Sequence, residues 1–564
     1  SLTDGRHIGC LIDRNGLRPS KYVITKDHKL YITSEYGTLS LEEENILERG
    51  RLQSGEMIAL DLKHGKVLKE DDINDYLKSS QYYSKWLNED MDYLQEYIED
   101  SFLNTSDYKF EELEKKQKYF NITYEAIDQM IEPMAKEGKE PVGSMGDDTP
   151  MACFSKVNRN FTDFFKQKFA QVTNPPIDPY REKVVMSLET GFGKVQNVLV
   201  EKPEDAKRIK VASPILMKEK FDVLFSFGDE NSPRYDEYYK NKTFSTTFKT
   251  DLREALQALA SNVVKAVKED GVSIVFLDDR NINDSCKLIP MAMAVGYVNQ
   301  ALLKAKVRHC VSIVPVTGEV YDPHMAAVML GFGATAMYPY MMYATTVALF
   351  ERQEVSKYEM QRLLKNTQKA LNAGLLKIMS KMGISTVASY RNSSLFDAIG
   401  LSDEIVTDCF PDAYSELAGL GYEDIEERVE RSHLNAFHDD NHMFPLDLGG
   451  FYKYLNGGEY HDYGPATTRA MHNKSATSKE EITDFDGLKS LVQNRDKKFI
   501  RDFLEFNSDR KAISIDEVES KEEIFKRFAS AAMSCGSISP EAHEALAQAM
   551  NTIGGSSNSG EGGE

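Results

Sequence analysis

The chain has 564 residues, of which 41% are hydrophobic, and its formal net charge is −21. This length suffices for about three domain-sized cores, so a single domain is not expected. The negative charge argues against nucleic acid or an anionic membrane surface as the main partner. No run of 18 apolar residues predicts a membrane span.

The cysteines are scattered singly along the chain, and no two form a Cys-x-x-Cys pair. Local spacing therefore predicts no metal site, neither zinc nor an iron–sulfur cluster, and no disulfide framework. A reducing compartment fits this pattern, and we expect a cytoplasmic protein, or a plastid one if a transit peptide precedes Ser1. Because the chain starts at Ser1 in the middle of a pattern, we expect it to be a piece of a longer protein.

Residues 1–70 alternate between apolar and polar side chains as an antiparallel β region does. Strands are predicted at residues 7–12, 22–24, 30–33 and 57–62, with turns between them. The distinctive piece is Asp13-Arg-Asn-Gly-Leu-Arg-Pro19, whose Asn-Gly pair predicts a tight turn. From spacing alone, its charges are either a surface pair or part of a functional loop.

Residues 71–140 are polar and helical in pattern, and we interpret them as a connector. Aromatic residues such as Tyr76, Trp86 and Tyr97 recur near helical spacing, which favours a packing stripe over a binding cage. A new domain begins at residue 141. There, Asp147 to Thr149 predict a turn and an N-cap before a helix that includes Phe161, Phe164, Phe165 and Phe169. A proline-rich extended segment at residues 169–182 follows.

Strands and helices alternate in the middle of the chain. Strands are predicted at residues 272–277, 311–316 and 334–340, and helices at 287–304, 325–331 and 357–381. This order predicts a parallel sheet, open or barrel-like, whose ligands gather at the C-terminal ends of the strands. The polar residues at those ends are Asp278, Arg280, Thr317 and Glu319. They are either functional groups or caps and salt bridges on the rim of the sheet.

The last residues predict a short strand, a helix and a glycine-rich loop. Ser539 is a suitable N-cap, Pro540 suits the first helical position, and the helix is expected to stop at Gly554. The loop at residues 554–564 suits a backbone that approaches a ligand closely. A flexible tail is the alternative.

Several motifs resemble, in one order over essentially the whole chain, those of the glutamate synthase family (large subunit). The first is Asp13-Arg-Asn-Gly-Leu-Arg-Pro with Ser34-Glu35 and Gly55-Glu56-Met57, which resembles the closing part of a class II glutamine amidotransferase domain. The others are Gly143-Ser-Met-Gly-Asp-Asp-Thr-Pro-Met, Gln171-Val-Thr-Asn-Pro-Pro-Ile-Asp-Pro, Gly374-Leu-Leu-Lys-Ile-Met-Ser-Lys-Met-Gly-Ile-Ser, the segment from Met533 to His543, and Ser557-Asn-Ser-Gly-Glu-Gly-Gly-Glu.

The resemblance implies an α/β protein with four parts. These are the C-terminal part of an αββα amidotransferase domain (1–70), a helical connector (71–140), a barrel-like α/β central domain (141–506) and the first βα unit of a TIM-barrel FMN domain (507–564). In the family, glutamine is hydrolysed by an N-terminal cysteine and ammonia passes through a tunnel. The ammonia forms an imine with 2-oxoglutarate, which reduced FMN converts to a second glutamate. Electrons come through an iron–sulfur cluster from ferredoxin or from an NAD(P)H-oxidising small subunit or domain.

The resemblance also indicates which site residues to expect here. Ala532, Met533 and Ser534 are expected to line the flavin, and Glu561 and Glu564 are tunnel-lining or gating candidates, with solvated loop charges as the alternative. No catalytic residue, glutamine hydrolysis or cluster ligand is expected in this chain alone. Cys535 stands where the family usually has phenylalanine. With no neighbouring base visible in the sequence, we expect it to be neither a nucleophile nor a ligand.

Two other function classes stay open. The central domain resembles a module that binds no flavin and holds two active sites in register, which makes a non-catalytic scaffold or channel module the first alternative. The second is a free-standing flavin oxidoreductase, which is disfavoured because only one βα unit of the barrel is expected.

Overall fold

The computed structural model describes residues 1–12, 19–80, 83–98, 105–143, 146–168, 177–195, 199–200, 202–438, 445–472, 485–507 and 509–560. The chain divides into two compact units, Ser1–Phe499 and Ile500–Glu564. Within the described ranges, no helix is long and apolar enough to cross a membrane.

The N-terminal region consists of two antiparallel sheets, as the alternation predicts. Its strands are Leu2–Thr3, His7–Leu11, Lys21–Thr25, Leu30–Thr33, Ile46–Arg51, Met57–Asp61 and Lys66–Leu68. Cys10, Ile12, Leu52 and Ile58 form a small core of their own. Residues 13–18, which hold most of the predicted Asn-Gly turn, lie outside the described residues.

The predicted helical connector is mostly helical but contains one strand. Its helical segments are Glu70–Ser80, Tyr83–Asp90, Leu113–Tyr119, Tyr124–Ala126, Ile127–Ile131 (a π-turn) and Glu132–Glu137. The strand Met91–Tyr93 pairs in parallel with Arg208–Val211, which pairs in turn with Thr190–Phe192. A helix is therefore the wrong prediction at this strand, because pairing with a distant strand overrides the local pattern.

The predicted helix through the phenylalanines after residue 160 is also wrong. Phe161–Phe164 is a single 3-10 turn, and Phe165–Gln167 is a strand antiparallel to Phe396–Leu401. The Phe165 ring lies 4.8 Å, centroid to centroid, from both Phe332 and Phe410. Packing among these rings selects the extended conformation. Phe169 and residues 170–176 of the proline-rich segment lie outside the described residues, and the segment ends in a helix, Pro179–Val185.

The central sheet is parallel, as predicted, with the strand order Asn241–Ser245, Ile274–Asp278, Ser312–Val316. All residues of the last two strands are buried, which explains their continuous apolar sequence. The predicted third strand at residues 334–340 continues the sheet only through single parallel bridges. These are Val316 to Tyr338 and Ile215 to Met337.

Helices cover this sheet and form one large core with it. They are Lys218–Phe227, Leu252–Glu269, Met291–Lys304, Pro323–Gly331, Tyr340–Glu351, Lys357–Lys381, Val387–Tyr390, Asp403–Cys409 and Tyr422–Phe437. Two short strands, Thr247–Phe248 and Lys287–Leu288, pair with each other, so the helix predicted from Lys287 starts only at Met291. Tyr414–Leu420 pairs in parallel with the strand that starts at Phe396. The helices Pro465–His472 and Phe485–Gln493 end the unit.

The second unit is small. Its regular elements are the 3-10 turns Ile500–Phe503 and Ile515–Glu517 and the helices Lys521–Phe525 and Pro540–Thr552. The Ser539 hydroxyl accepts a hydrogen bond from Ala542 N–H at 3.3 Å, which confirms the predicted N-cap.

Candidate functional site

The candidate flavin-contacting segment lies in the second unit, before its long helix. The predicted strand is reduced to one parallel bridge, between Ala529 and Ser556. Ser556 N–H donates to Phe528 O at 2.9 Å, and Ser530 N–H donates to Ser556 O at 3.0 Å. The segment around Ala529 leads into the helix Pro540–Thr552, and the segment around Ser556 returns parallel to the first. This is the pattern of a β-α-β unit.

The glycine-rich loop returns beside the three residues expected to contact flavin. Met533 N–H donates to Asn558 O at 3.2 Å, and Gly560 N–H donates to the Asn558 side chain at 3.0 Å. A Cβ atom on Gly560 would lie 3.1 Å from Met533 O and 3.4 Å from the Ala532 Cβ. Only a glycine permits this approach without a shift, and its φ of +60° also favours glycine.

Residues 532–534 differ in what they present to a ligand. Ala532 is exposed, whereas the Met533 side chain is buried with 8% exposure, so Met533 can offer mainly its backbone. The N–H groups of Ala532 and Ser534 donate to no acceptor among the described residues. Two backbone N–H groups without a described acceptor fit a flavin held through the backbone. Glu561 and Glu564 lie outside the described residues.

Cys535 has a base beside it, contrary to the expectation from the sequence. Its Sγ atom lies 3.8 Å from Nδ1 of His543, a buried residue on the first turn of the last helix. The turn at residues 534–539 brings together two residues eight positions apart. The sequence predicts that His543 lies on that helix, but the contact between Cys535 and His543 depends on the turn, which the sequence does not specify.

At the C-terminal edge of the central sheet, three of the four predicted polar residues have structural roles. Asp278 and Arg280 form a salt bridge on the rim, and Thr317 caps the backbone. The Arg280 guanidinium donates to both oxygens of Asp278, at 3.0 Å from Nε to Oδ1 and 2.6 Å from Nη2 to Oδ2. Thr317 Oγ1 accepts from Glu319 N–H at 3.1 Å and donates to Asp279 at 2.6 Å.

The sequence analysis missed Asp279, which is the most buried carboxyl at this edge. It has 0% exposure and accepts hydrogen bonds from Thr317 Oγ1 and from Gly318 N–H. Burial raises the pKa of Asp279 well above its usual range. The sequence could have indicated Asp279, because this residue directly follows the buried strand that ends at Asp278.

Glu319 is the second carboxyl with a perturbed pKa. Its Oε1 atom accepts a hydrogen bond from Met291 N–H at 2.9 Å, at the start of a helix. Burial raises the pKa of Glu319 to about 7. A carboxyl that titrates near neutrality can hold or release a proton at physiological pH.

A cavity of 740 Å³ is lined by Tyr321 and Asp322, which follow the strand Ser312–Val316 in the chain, but not by the four predicted polar residues or Asp279. Its wall includes Arg159, whose guanidinium stacks on the Phe451 ring at 4.0 Å and pairs with Asp163 and Glu459. The Glu125 carboxylate in the same wall accepts four backbone N–H groups, from residues 450 to 453. These charges are satisfied within the protein, so they stabilise loops.

Two of the amidotransferase-like motifs flank strands of the N-terminal sheets: Ser34-Glu35 follows Leu30–Thr33, and Gly55-Glu56 precedes Met57–Asp61. The Glu35 carboxylate pairs with Lys21 Nζ at 2.8 Å, and Glu56 accepts from Gln53 N–H at 2.6 Å. Both interactions are local and structural.

The described residues do not fit an iron–sulfur cluster. All six cysteines are free, and no group of three His, Cys, Asp or Glu side chains among the described residues could hold a metal ion.

Comparison with known families identifies three consecutive regions. The glutamate synthase central domain matches residues 115–402, just over half of the chain. Class-II glutamine amidotransferases match residues 1–86, and a conserved region in glutamate synthase matches residues 461–564.

Similar proteins match along the entire chain. The large chain of an NADPH glutamate synthase from Bacillus subtilis is 37% identical and that from Azospirillum brasilense 36%. Ferredoxin-dependent glutamate synthase 1 from Arabidopsis thaliana is 37% identical. In each case, 100% of this chain is covered, against 36%, 37% and 35% of the relative. The chain therefore spans about a third of the length of these relatives.

Among solved structures, a flavocytochrome b2 mutant matches 55% of this chain and 92% of its own, at 10% identity and a TM-score of 0.23. A score this low supports no argument.

Proposed function

Since the chain belongs to the glutamate synthase family, we propose that it is part of an enzyme that makes two L-glutamate from L-glutamine and 2-oxoglutarate. The observation that carries this proposal is the order of the matches. Amidotransferase, central and synthase regions follow one another over residues 1–86, 115–402 and 461–564. The presence of all three regions in this order favours an enzyme that combines them over a protein with the function of one region alone.

The proposed architecture has the boundaries that the sequence suggested. Residues 1–70 are the end of an αββα amidotransferase domain, 71–140 a connector, 141–506 a barrel-like central domain and 507–564 the start of a TIM-barrel FMN domain. The antiparallel sheets of the first region, the parallel central sheet and the parallel return at Ser556 support these assignments.

In the proposed enzyme, FMN is held at the end of the first barrel strand by the backbone of Ala532, Met533 and Ser534. When bound, the flavin supplies the hydride that reduces an imine. The protein contributes the N–H groups of Ala532 and Ser534, which have no described acceptor. Gly560 lies close to Met533 O and so fixes the backbone of this segment. Active sites of such barrels lie at strand C-terminal ends.

Glu561 and Glu564 are proposed to line or gate the path of ammonia. Gly560, the last described residue before these glutamates, lies against residues 532 and 533. A carboxylate there can accept hydrogen bonds from ammonia or from N–H groups of a moving loop.

The remaining partners and the location are proposed from the family. Electrons reach FMN from ferredoxin or an NAD(P)H-oxidising partner through an iron–sulfur cluster whose ligands are not among the described residues. The enzyme is proposed to act in the cytoplasm or in a plastid.

A second candidate function is a scaffold role for the central domain. The observation that favours it is the satisfied wall of the 740 Å³ cavity, where Arg159 and Glu125 bind the protein itself. The two functions are compatible, because a scaffold holds the two active sites of one enzyme in register.

The proposed activity is tested with the full-length protein supplied with reduced ferredoxin or NADPH. Glutamate formed from glutamine and 2-oxoglutarate, together with a flavin absorbance band, is the expected result. A folded full-length protein that contains flavin but forms no glutamate would overturn the proposal.

The gating assignment is tested by Glu564→Ala in the same protein, with Glu544→Ala, an exposed glutamate on the last helix, as the matched control. We expect loss of the glutamine-dependent rate while the ammonia-dependent rate stays at the parental level. If both rates stay parental, Glu564 does not gate.

A further inference from the structure

A second cavity, of 590 Å³, lies at the opposite end of the central sheet from the buried carboxyls. Its wall includes Val311 and Ser312, where the strand Ser312–Val316 starts, whereas Thr317 follows the other end of that strand. Gly191 and Gly193 of the neighbouring hairpin also line it. The cavity lies within the first compact unit.

The ionisable side chains that line this cavity are basic. Its described lining contains five basic side chains and no Asp or Glu: Arg208, Lys306, Arg308, His309 and Arg391. These residues come from segments far apart in a chain whose net charge is −21. Lys306 and His309 are exposed, whereas the three arginines are partly buried. Their convergence in an acidic protein needs an explanation, because an unpaired charge is costly to bury.

None of the three arginines forms an ion pair with a described carboxylate. Arg308 donates to neutral oxygens only, at 2.5 Å to Asn299, 2.6 Å to Val311 O and 2.7 Å to Gly333 O. Arg208 donates to Gly191 O at 3.1 Å. The Arg391 side chain is partly buried and donates to no described acceptor, and only the backbone N–H of this residue donates, to Val387 O at 2.8 Å. Its whole guanidinium fork is therefore available.

Burial, together with the neighbouring positive charges, lowers the pKa of two of these arginines. Burial, and then the Arg391 charge, lowers the pKa of Arg308 to about 10. Burial, and then the Arg208 charge, also lowers the pKa of Arg391. An anion placed between them would relieve both effects, since it supplies the missing opposite charge.

We propose that this cavity is a binding site for a small oxyanion with at least two negative charges, a polycarboxylate or a phosphate compound. Guanidinium groups bind carboxylate and phosphate oxygens in pairs, and three of them match a multiply charged anion. The volume falls in the range of small-ligand sites, about 300–1,000 Å³. The described lining contains no Phe, Tyr or Trp side chain, so the site is built from charged and polar groups rather than from an apolar aromatic surface.

The residues have distinct roles in this site. Arg391 contacts the anion directly with its guanidinium group, and Arg208 and Lys306 add positive charge elsewhere in the lining. Arg308 is held by Asn299, whose amide also donates to Asn392 at 2.7 Å, so Arg308 contributes a fixed positive potential. This site is independent of the proposed glutamate synthesis and takes a ligand whether or not the flavin is present.

The experiment is calorimetric titration of the full chain, at low salt, with inorganic pyrophosphate and with citrate, and with sodium chloride as the monovalent control. We expect binding of at least one polyanion at about millimolar concentration or below. The two arms distinguish a phosphate site from a polycarboxylate site. No binding of either, or the same heat with chloride, would overturn the proposal.

Arg391→Gln is the decisive variant, and Arg362→Gln is its control, because Arg362 is exposed and pairs with Glu359 on a helix surface. We expect Arg391→Gln to weaken binding by about tenfold or more, since it removes charge-assisted hydrogen bonds, and the control to bind as the parent does. A parental affinity in Arg391→Gln would contradict the proposal.

A thermal shift measurement separates a ligand role from a structural one. Arg391→Gln removes a repulsive charge, so the unliganded variant should melt no lower than the parent while its ligand-induced rise in Tm shrinks. A variant that melts lower but keeps the full ligand-induced rise would make Arg391 structural and overturn its role.

Discussion

At the scale of single residues, conformation and environment decide what a side chain does. Gly560 has a φ of +60° and lies against Met533 O, and neither property can be read from its residue type. Glu319 looks like any loop glutamate in the sequence, yet burial moves its pKa to about 7. The sequence therefore gives the residue types at these positions, but it does not give the backbone conformation of Gly560 or the pKa of Glu319.

The first prediction concerns Gly560→Ala in the full-length protein. The added Cβ would press on Met533 O, so we expect the edge at residues 532–534 to shift and flavin affinity to fall about fivefold or more, equal to about 1 kcal/mol. The measurement is flavin content against flavin concentration.

The control for that variant is Gly554→Ala. Its φ is +77°, but a Cβ there would meet nothing within 4 Å, so it carries the backbone strain without the contact. Equal flavin affinity in the two variants would show that the contact with Met533 is irrelevant.

The second prediction concerns pH. The folded pKa of Glu319, about 7, lies above its ordinary value of 4.5, so the folded state binds more protons between these values. The stability that Glu319 contributes is complete below pH 4.5 and is lost as pH rises towards 7, by about 3 kcal/mol in total.

Glu319→Gln stays neutral and should remove this loss. We expect the variant to be more stable than the parent at pH 8 and similar near pH 4.5, as measured by urea unfolding across that range. Glu427→Gln, at an exposed glutamate, should follow the parent profile. Parallel profiles for the parent and Glu319→Gln would refute the assignment.

At the scale of elements, long periodic helices were predictable and short elements were not. Lys357–Lys381 has the predicted bounds, because 25 residues of helical pattern and a Ser356 cap act locally. The strands Met91–Tyr93 and Phe165–Gln167 were predicted as helix. Three residues carry too little periodicity to oppose pairing with a partner far along the chain.

The third prediction tests a helix contact at Gly374. A Cβ there would lie 2.3 Å from Pro323 Cγ, at the start of the helix Pro323–Gly331. Gly374→Ala should therefore lower the free energy of unfolding by about 1–2 kcal/mol, although alanine favours helices. Urea unfolding measures this.

Ala373→Gly, at the exposed neighbouring position, is the matched control. It should cost about 1 kcal/mol through helix propensity alone. If Gly374→Ala stabilises the protein by a similar amount, the close packing on Pro323 does not hold.

At the scale of the whole molecule, the helical segments before residue 140 pack on the central domain. Met134 and Ala135 have 0% exposure, and the Asn366 side chain donates to Ala135 O at 2.9 Å. The boundary at residue 141 stays a prediction, and this packing argues that residues 113–140 remain with the central domain.

The fourth prediction is the outcome of limited proteolysis of the full chain. We expect a stable product that retains residues 113–438 and is separated from Ile500–Glu564, because those ends belong to different compact units. Mass spectrometry identifies the product. A first stable product that begins after residue 140 would show that this packing does not keep the connector attached to the central domain.

The sequence by itself determined the class of the fold, the antiparallel start, the parallel middle and the capped last helix, because periodicity and caps act over a few residues. Tertiary structure alone decided the contact of Cys535 with His543, the pKa of Glu319 and the gathering of Arg208, Arg308 and Arg391 in one cavity. These arginines stand about a hundred residues apart, and no local pattern links them. Burial and charge proximity depend on the folded path of the chain, so they appear only when distant segments pack together.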